Sequence, residues 1–285
     1  DVASGTNGNI VLSTSSGDIT GLATVNAGSG NVTLNSAGAI VDDGSSGTVI
    51  TGGVLTADAA GGITIDSTVT SANISTSAAG AVDLDETDAI TLTDVDTNDG
   101  SITVDAGGLI TATDVVASGG SGDSVTLSTT TGGAVATLVT GADAVSITAN
   151  AGDITIGSVT ATAGTLGVTA TAGSINDAAD DNTADFTAGG LITLTAQDEI
   201  GVLGSGSDLD LEFAAGSSVN VSTTGTGAID LDGLGALTLS DVDTVNGAIT
   251  ASSAGALTVT DVASGTNGNI VLSTSSGDIT GLATV

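Results

Sequence analysis

Not one lysine, arginine or histidine occurs in this 285-residue chain, which carries 33 Asp and Glu residues and a formal net charge of −33. Phosphate recognition rests on Lys and Arg, so nucleic acid is excluded as a partner. Anionic membrane surfaces are excluded on the same ground. Cysteine is missing too, which removes disulfides, thiolate metal sites and thiol redox chemistry. Without histidine, a serine nucleophile lacks its usual base. Proline, methionine, tryptophan and tyrosine do not occur, and Phe186 and Phe213 are the only aromatic residues. A chain free of proline keeps every backbone N–H available to a strand ladder. No apolar run reaches the length of a membrane-spanning helix.

What is present is small, apolar and repetitive. Hydrophobic residues, mostly Val, Ile, Leu and Ala, make up 40% of the chain, and 44 residues are Gly. Disorder pairs high charge with low hydrophobicity; here the apolar content suffices for a packed structure. Asp1 to Val25 recurs letter for letter as Asp261 to Val285, an offset of 260 residues (261 − 1). Such identity is expected of one period of a tandem array plus a short overlap, and 1–285 reads as a single continuous solenoid segment. A weaker echo sets Gly80 to Gly100 against Gly227 to Gly247.

Both recurrences are subdivided by a shorter beat, two apolar residues separated by one and followed by a polar or Gly-rich corner. Ile10/Leu12, Val32/Leu34, Val82/Leu84, Ile102/Val104, Val125/Leu127 and Val145/Ile147 align in one column. Leu166/Val168, Leu209/Leu211, Ile229/Leu231, Ile249/Ala251 and Ile270/Leu272 continue it. The step from Leu166 to Leu209 reads as two rungs, and the register between Val32 and Val82 stays open. A second pair follows within each rung, as at Ile90/Leu92 and Leu257/Val259, then a third inward residue, as at Val95 and Val262. Alternation of period two is a strand signal, and three inward segments per rung describe a three-sided coil. The expectation is an all-β fold, a parallel β-helix (β-solenoid) of about 21 residues per rung, with about twelve rungs per 260-residue period. Glycine is expected at its corners for access to positive φ.

The rungs GNIVLSTSSGDITG (8–21), GNVTLNSAGAI (30–40) and AGDITIGSVTATAG (151–164) resemble the β-helical repeats of filamentous haemagglutinin-type adhesins. Those are large exoproteins of two-partner and autotransporter secretion in Gram-negative bacteria. The resemblance implies a right-handed β-helix, export as an unfolded chain, and an extracellular rod used for adhesion or matrix building. The lack of Lys, Arg and all but two aromatic residues departs from that pattern. It turns the expectation from receptor binding toward a structural filament.

Other functions compete with that reading. Paired carboxylates hydrolyse glycosides in some β-helix enzymes, but here no aromatic platform for sugars accompanies them, and no catalytic residue is expected. Ice binding would need T-x-T pairs on nearly every rung; Thr91/Thr93, Thr111/Thr113, Thr160/Thr162, Thr193/Thr195 and Thr258/Thr260 skip several. The run from Asp94 to Gly100 (DVDTNDG) resembles a calcium loop whose glycine arrives one residue late. GGSGDSV (119–125) falls one residue short of a calcium-binding nonapeptide repeat. Turn chemistry accounts for Asp and Asn at both places.

Carboxylates form the remaining pattern. Aligning Leu209 on Ile229 and Leu211 on Leu231 stacks Asp210 on Asp230 and Glu212 on Asp232. The same procedure stacks Asp94 on Asp114, and Asp241 on Asp261. Together with Asp96, these residues are candidate divalent-cation ladders; no cofactor is required, and Ca2+ is the candidate ion. The expected function is that of a structural, non-catalytic repeat segment of an extracellular filament, sheath or adhesin stalk at a bacterial cell surface. Its expected partners are neighbouring repeats end to end, with lateral bundling through divalent cations, no nucleic acid and no membrane insertion. The alternative is a receptor-binding adhesin whose binding domain lies outside this segment.

Overall fold

The computed structural model describes residues 1–281 apart from 46, 48, 180, 205–207, 215 and 266. The chain is all-β, a parallel β-solenoid of about 13 turns of about 21 residues. It divides into two compact units, Asp1–Gly132 with Leu138–Asp143, and Gly133–Thr137 with Ala144–Val285.

In the first unit a turn is built from three short strands, as in Ile102–Ala106, Ile110–Ala112 and Val115–Ala117. Elsewhere two of them merge: strand Ile90–Asp99 pairs with both Ile110–Ala112 and Val115–Ala117. One apolar column runs through Ile19, Ile40, Ile63, Val82, Ile102 and Val125. Another runs through Ile10, Val32, Leu55, Ala72, Leu92 and Ala112. Val32 and Val82 therefore belong to different walls. The second unit has three columns of its own. Val145, Leu166, Ile192, Val219 and Leu239 form the first. Ile154, Ile175, Ile200, Ile229, Ile249 and Ile270 form the second. Val159, Phe186, Leu211 and Gly233 form the third.

The single column expected from the sequence is thus corrected at Leu166. That residue pairs with Ile192 rather than leading to Leu209, which lies on the wall of Phe186. All walls present the same Val/Ile/Leu alternation, so the pattern alone does not say which wall a strand joins.

Alternation sets the core. Strands such as Val125–Thr129 and Leu166–Ala170 bury every second residue, and β-branched side chains stacked on their like fill the interior. Each fully buried Val, Ile or Leu stabilises by about 1.5–3 kcal/mol relative to exposure. The last inward position of many strands is a hydroxyl. Thr244 is 6% exposed; its Oγ1 donates to the Gly247 carbonyl at 2.9 Å and accepts from the Gly247 amide at 2.7 Å. Thr97 with Gly100 and Thr129 with Gly132 repeat this closure. A buried corner with open backbone groups would be costly, and the T-x-x-G spacing supplies the missing partner.

Corners such as Gly17, Gly152 and Gly277 use positive φ as expected, but others need glycine for a different reason. Gly247 and Gly100 are not in the positive-φ region. A Cβ on Gly247 would run into the Gly227 carbonyl oxygen of the turn before, and one on Gly100 into that of Gly80. Close stacking of backbones, not backbone handedness, excludes a side chain there.

Candidate functional site

The carboxylates singled out by their spacing fall in three places. In the first unit Asp94 and Asp96 lie on strand Ile90–Asp99. Val95 is level with Val115, and its amide donates to the Asp114 carbonyl at 3.0 Å. Asp94 and Asp114 are therefore neighbours on successive turns. Asn73 Nδ2 donates to Asp94 Oδ2 at 3.3 Å, and Asp114 Oδ1 is buried with no hydrogen-bond partner. Although Asp96 is exposed, protein crowding around it and then the carboxylates of Asp94 and Asp114 hold its pKa up, to about 6. Residues 94–99 form a strand, so turn chemistry does not account for Asp94, Asp96 and Asn98 as expected, and the run is not the wrapped loop that its calcium-loop likeness implied. The GGSGDSV likeness resolves as a turn, in which Asp123, 5% exposed, accepts the Gly120 amide at 2.6 Å.

At the second place Asp241 and Asp261 lie on successive turns. Val242 is level with Val262, and its amide donates to the Asp261 carbonyl at 3.1 Å. Crowding and then the Asp241 carboxylate raise the pKa of the adjacent Asp243.

The third place is the densest, and there the expected stack is wrong by two residues. Strand Leu209–Phe213 pairs with Ile229–Gly233 so that Leu209 faces Leu231 and Asp210 faces Asp232. On their other edges, Asp230 is level with Thr250 of the following turn and Glu212 with Thr187 of the preceding one. A slip of two keeps every apolar residue facing inward, so the alternation does not resist it. The true register follows from the turn before. Phe186 faces Leu211, the Asp185 amide donates to the Asp210 carbonyl at 3.0 Å, and the Asp210 amide donates to Asp185 Oδ2 at 2.8 Å.

Neighbouring segments cover this patch. Most strands leave alternate residues open, but Leu209–Phe213 and Ile229–Gly233 each bury three residues in succession. Asp185 is 3%, Asp210 2% and Asp230 8% exposed. The Asp230 amide donates to the Ile200 carbonyl at 2.8 Å, and the Gly204 amide donates to Asp230 Oδ2 at 3.3 Å. Gly201, with φ +68°, has no room for a Cβ against the Asp230 carbonyl oxygen. Burial pushes the Asp185 carboxyl up to about 8, with Asp177 adding to it and the Asp210 amide opposing. Burial followed by Asp208 and Asp232 raises Asp210 to about 7. Burial raises Asp230 to about 6, against the Gly204 hydrogen bond.

One oxygen from each of Asp208, Asp210 and Asp232 lies within 4.8 Å of the others, and among the described residues this is the one such group of three. Asp208 and Asp185 escaped the sequence reading. Their signal was the aspartate-rich run 177–185 and the long steps from Val159 to Phe186 and from Ile192 to Val219. Elsewhere the buried Glu86 is a corner device. It accepts Ser67 Oγ at 2.6 Å and the Val69 amide at 3.1 Å, while burial raises its pKa against those donors. Open grooves on the outer faces are lined by small side chains, as at Thr14, Asn35, Ser36, Asp58 and Ser75.

Compared with known proteins, the chain matches no family model, no curated protein and no solved structure. Its class, a parallel β-solenoid, rests on the fold.

Proposed function

We propose that this chain is a repeating structural segment of a long, non-catalytic filament, sheath or adhesin stalk outside a bacterial cell. The observation that carries the reading is how the duplicated turn pairs. In the first unit Val2, Ile10 and Ile19 pair forward with Val25, Val32 and Ile40. In the second unit their duplicates Val262, Ile270 and Ile279 pair backward with Val242, Ile249 and Leu257. The same three positions use one edge in one copy and the opposite edge in the other. A single copy of the turn is therefore compatible with partners on both sides at once. In a tandem array the ladder would run from one period into the next, since an unpaired strand edge templates another rung. Stability in such a stack accrues turn by turn.

The coil is proposed to be right-handed, the sense that twisted parallel strands favour. The resemblance of 8–21, 30–40 and 151–164 to filamentous haemagglutinin-type repeats supports export and an extracellular location. Adjoining repeats of the same chain are the proposed partners, and the wholly acidic side-chain charge disfavours nucleic acid and anionic membranes. The test is a protein of two periods joined in tandem, imaged by electron microscopy beside the single period. The rod should lengthen by about 55–60 Å, from about twelve turns at about 4.8 Å each. Two separated beads in place of a longer rod would sink the proposal.

A further inference from the structure

The region around Asp210 carries an inference that does not depend on the filament reading. Asp210 and Asp232 are direct partners across adjacent strands. Asp208 is two residues before Asp210, on the same side of the chain by the period of two. Three carboxylates converge as a result, with an oxygen of each within 4.8 Å of the others. Convergence of acids alone proves nothing, because acidic surfaces are common. Here one member is not at the surface: Asp210 is 2% exposed, and its Oδ1 has no hydrogen-bond partner. Its carboxylate contributes to the cluster, and its buried Oδ1 has no partner among the described residues.

In most proteins such a group faces a lysine or arginine. This sequence has neither, and no histidine, so no side chain anywhere supplies the countercharge. It has to come from solution. A proton satisfies one carboxylate and leaves the other two facing each other. A multivalent cation engages all three. We propose that Asp208, Asp210 and Asp232 bind a single divalent cation, and that the cation is Ca2+.

Chemistry selects the ion. An all-oxygen, all-carboxylate donor set suits hard cations and offers nothing to the softer metals that favour nitrogen and sulfur. Ca2+ takes about six to eight oxygen ligands, whereas Mg2+ keeps several waters and is usually held by one or two carboxylates, so three convergent carboxylates favour Ca2+. The three oxygens, within 4.8 Å of one another, are close enough to share one ion. Ca2+ also accepts irregular geometry, which suits ligands fixed by a strand register. The Ser252 hydroxyl donates to Asp232 Oδ1 and holds that carboxylate in place.

The test is calorimetric titration of the chelator-stripped protein with CaCl2 and, separately, MgCl2, in about 0.15 M NaCl to screen diffuse attraction. The expected result is one saturable Ca2+ site, with Mg2+ at least tenfold weaker. Asp208→Asn and Asp232→Asn should each weaken Ca2+ at least tenfold. Both residues are partly exposed, so these variants should keep the far-UV circular dichroism of the parent. Asp105→Asn, on an exposed strand position in the other unit, should leave the isotherm unchanged. Calcium should also raise the melting temperature of the parent, and not that of Asp232→Asn. Superimposable isotherms for the parent and Asp232→Asn would overturn the proposal, as would melting that responds equally to calcium and sodium at matched ionic strength.

Discussion

Stripped of metal, this protein should be more stable at pH 5 than at pH 7, the reverse of ordinary acid lability. Burial is the leading cause of raised pKa values at Asp83, Asp85, Glu86, Asp96, Asp185, Asp210, Asp230 and Asp243. Asp43 and Asp181 are lowered, by hydrogen bonds from Ser45 and Thr183. A carboxyl raised on folding holds its proton more tightly in the native chain than in the unfolded one. Its contribution is complete below the unfolded value and is lost as pH rises through the folded value. The two lowered groups act in the opposite sense, but lose their contribution only as pH falls below 3.8, outside this window.

For Asp185 the unfolded and folded values are 3.8 and about 8. Between pH 5 and 7 the native chain thus keeps a proton that the unfolded chain has released. One retained proton changes stability by about 1.4 kcal/mol per pH unit. Water reaching the neighbouring carboxylates screens part of this, leaving about 1–2 kcal/mol over the two units. With no Trp or Tyr to report by fluorescence, the assay is urea unfolding followed by far-UV circular dichroism, in chelator, at pH 5, 6 and 7. The urea midpoint should fall as pH rises. Asp185→Asn keeps an acceptor for the Asp210 amide but does not ionise, and should flatten the trend. A midpoint that climbs from pH 5 to 7, or an unchanged trend in Asp185→Asn, would refute the reasoning.

Three substitutions test the packing. Gly247→Ala drives a Cβ into the Gly227 carbonyl oxygen and should destabilise by about 1–3 kcal/mol. Gly167→Ala, mid-strand with open space at the Cβ, should be neutral or stabilising by about 0.5–1 kcal/mol; equal effects of the two changes in urea melts would reject the stacking account of the corners. Thr244→Val strips the buried Gly247 amide and carbonyl of their partner and should cost about 1–3 kcal/mol, with faster hydrogen exchange at Gly247 as the local readout. Phe186→Ala, emptying a fully buried site between Val159 and Leu211, should cost about 3–5 kcal/mol; a urea midpoint within error of the parent would show that Phe186 is not packed in the core.

By itself the sequence determined that the chain coils. Alternating pairs such as Val82/Leu84 and Ile102/Val104, spaced a turn apart, stack as expected, because a strand buried on one side needs period two and a stack needs like on like. The lack of any basic residue likewise settled from sequence that no carboxylate here has a salt-bridge partner in a side chain. What the sequence left open was which wall each strand joins. Leu209 could be set on Ile229 as readily as on Leu231, since a slip of two leaves the inward pattern intact and the walls share one apolar alphabet. Only the stacked turns decided it, through Phe186 against Leu211 and the two backbone-directed hydrogen bonds between Asp185 and Asp210. That register brings Asp210 to Asp232 rather than Asp230, and segments from neighbouring turns bury it beside Asp208. Burial and convergence depend on contacts between residues some twenty or more positions apart, so no local pattern carries them; the tertiary structure alone turned a row of acids into a buried cluster.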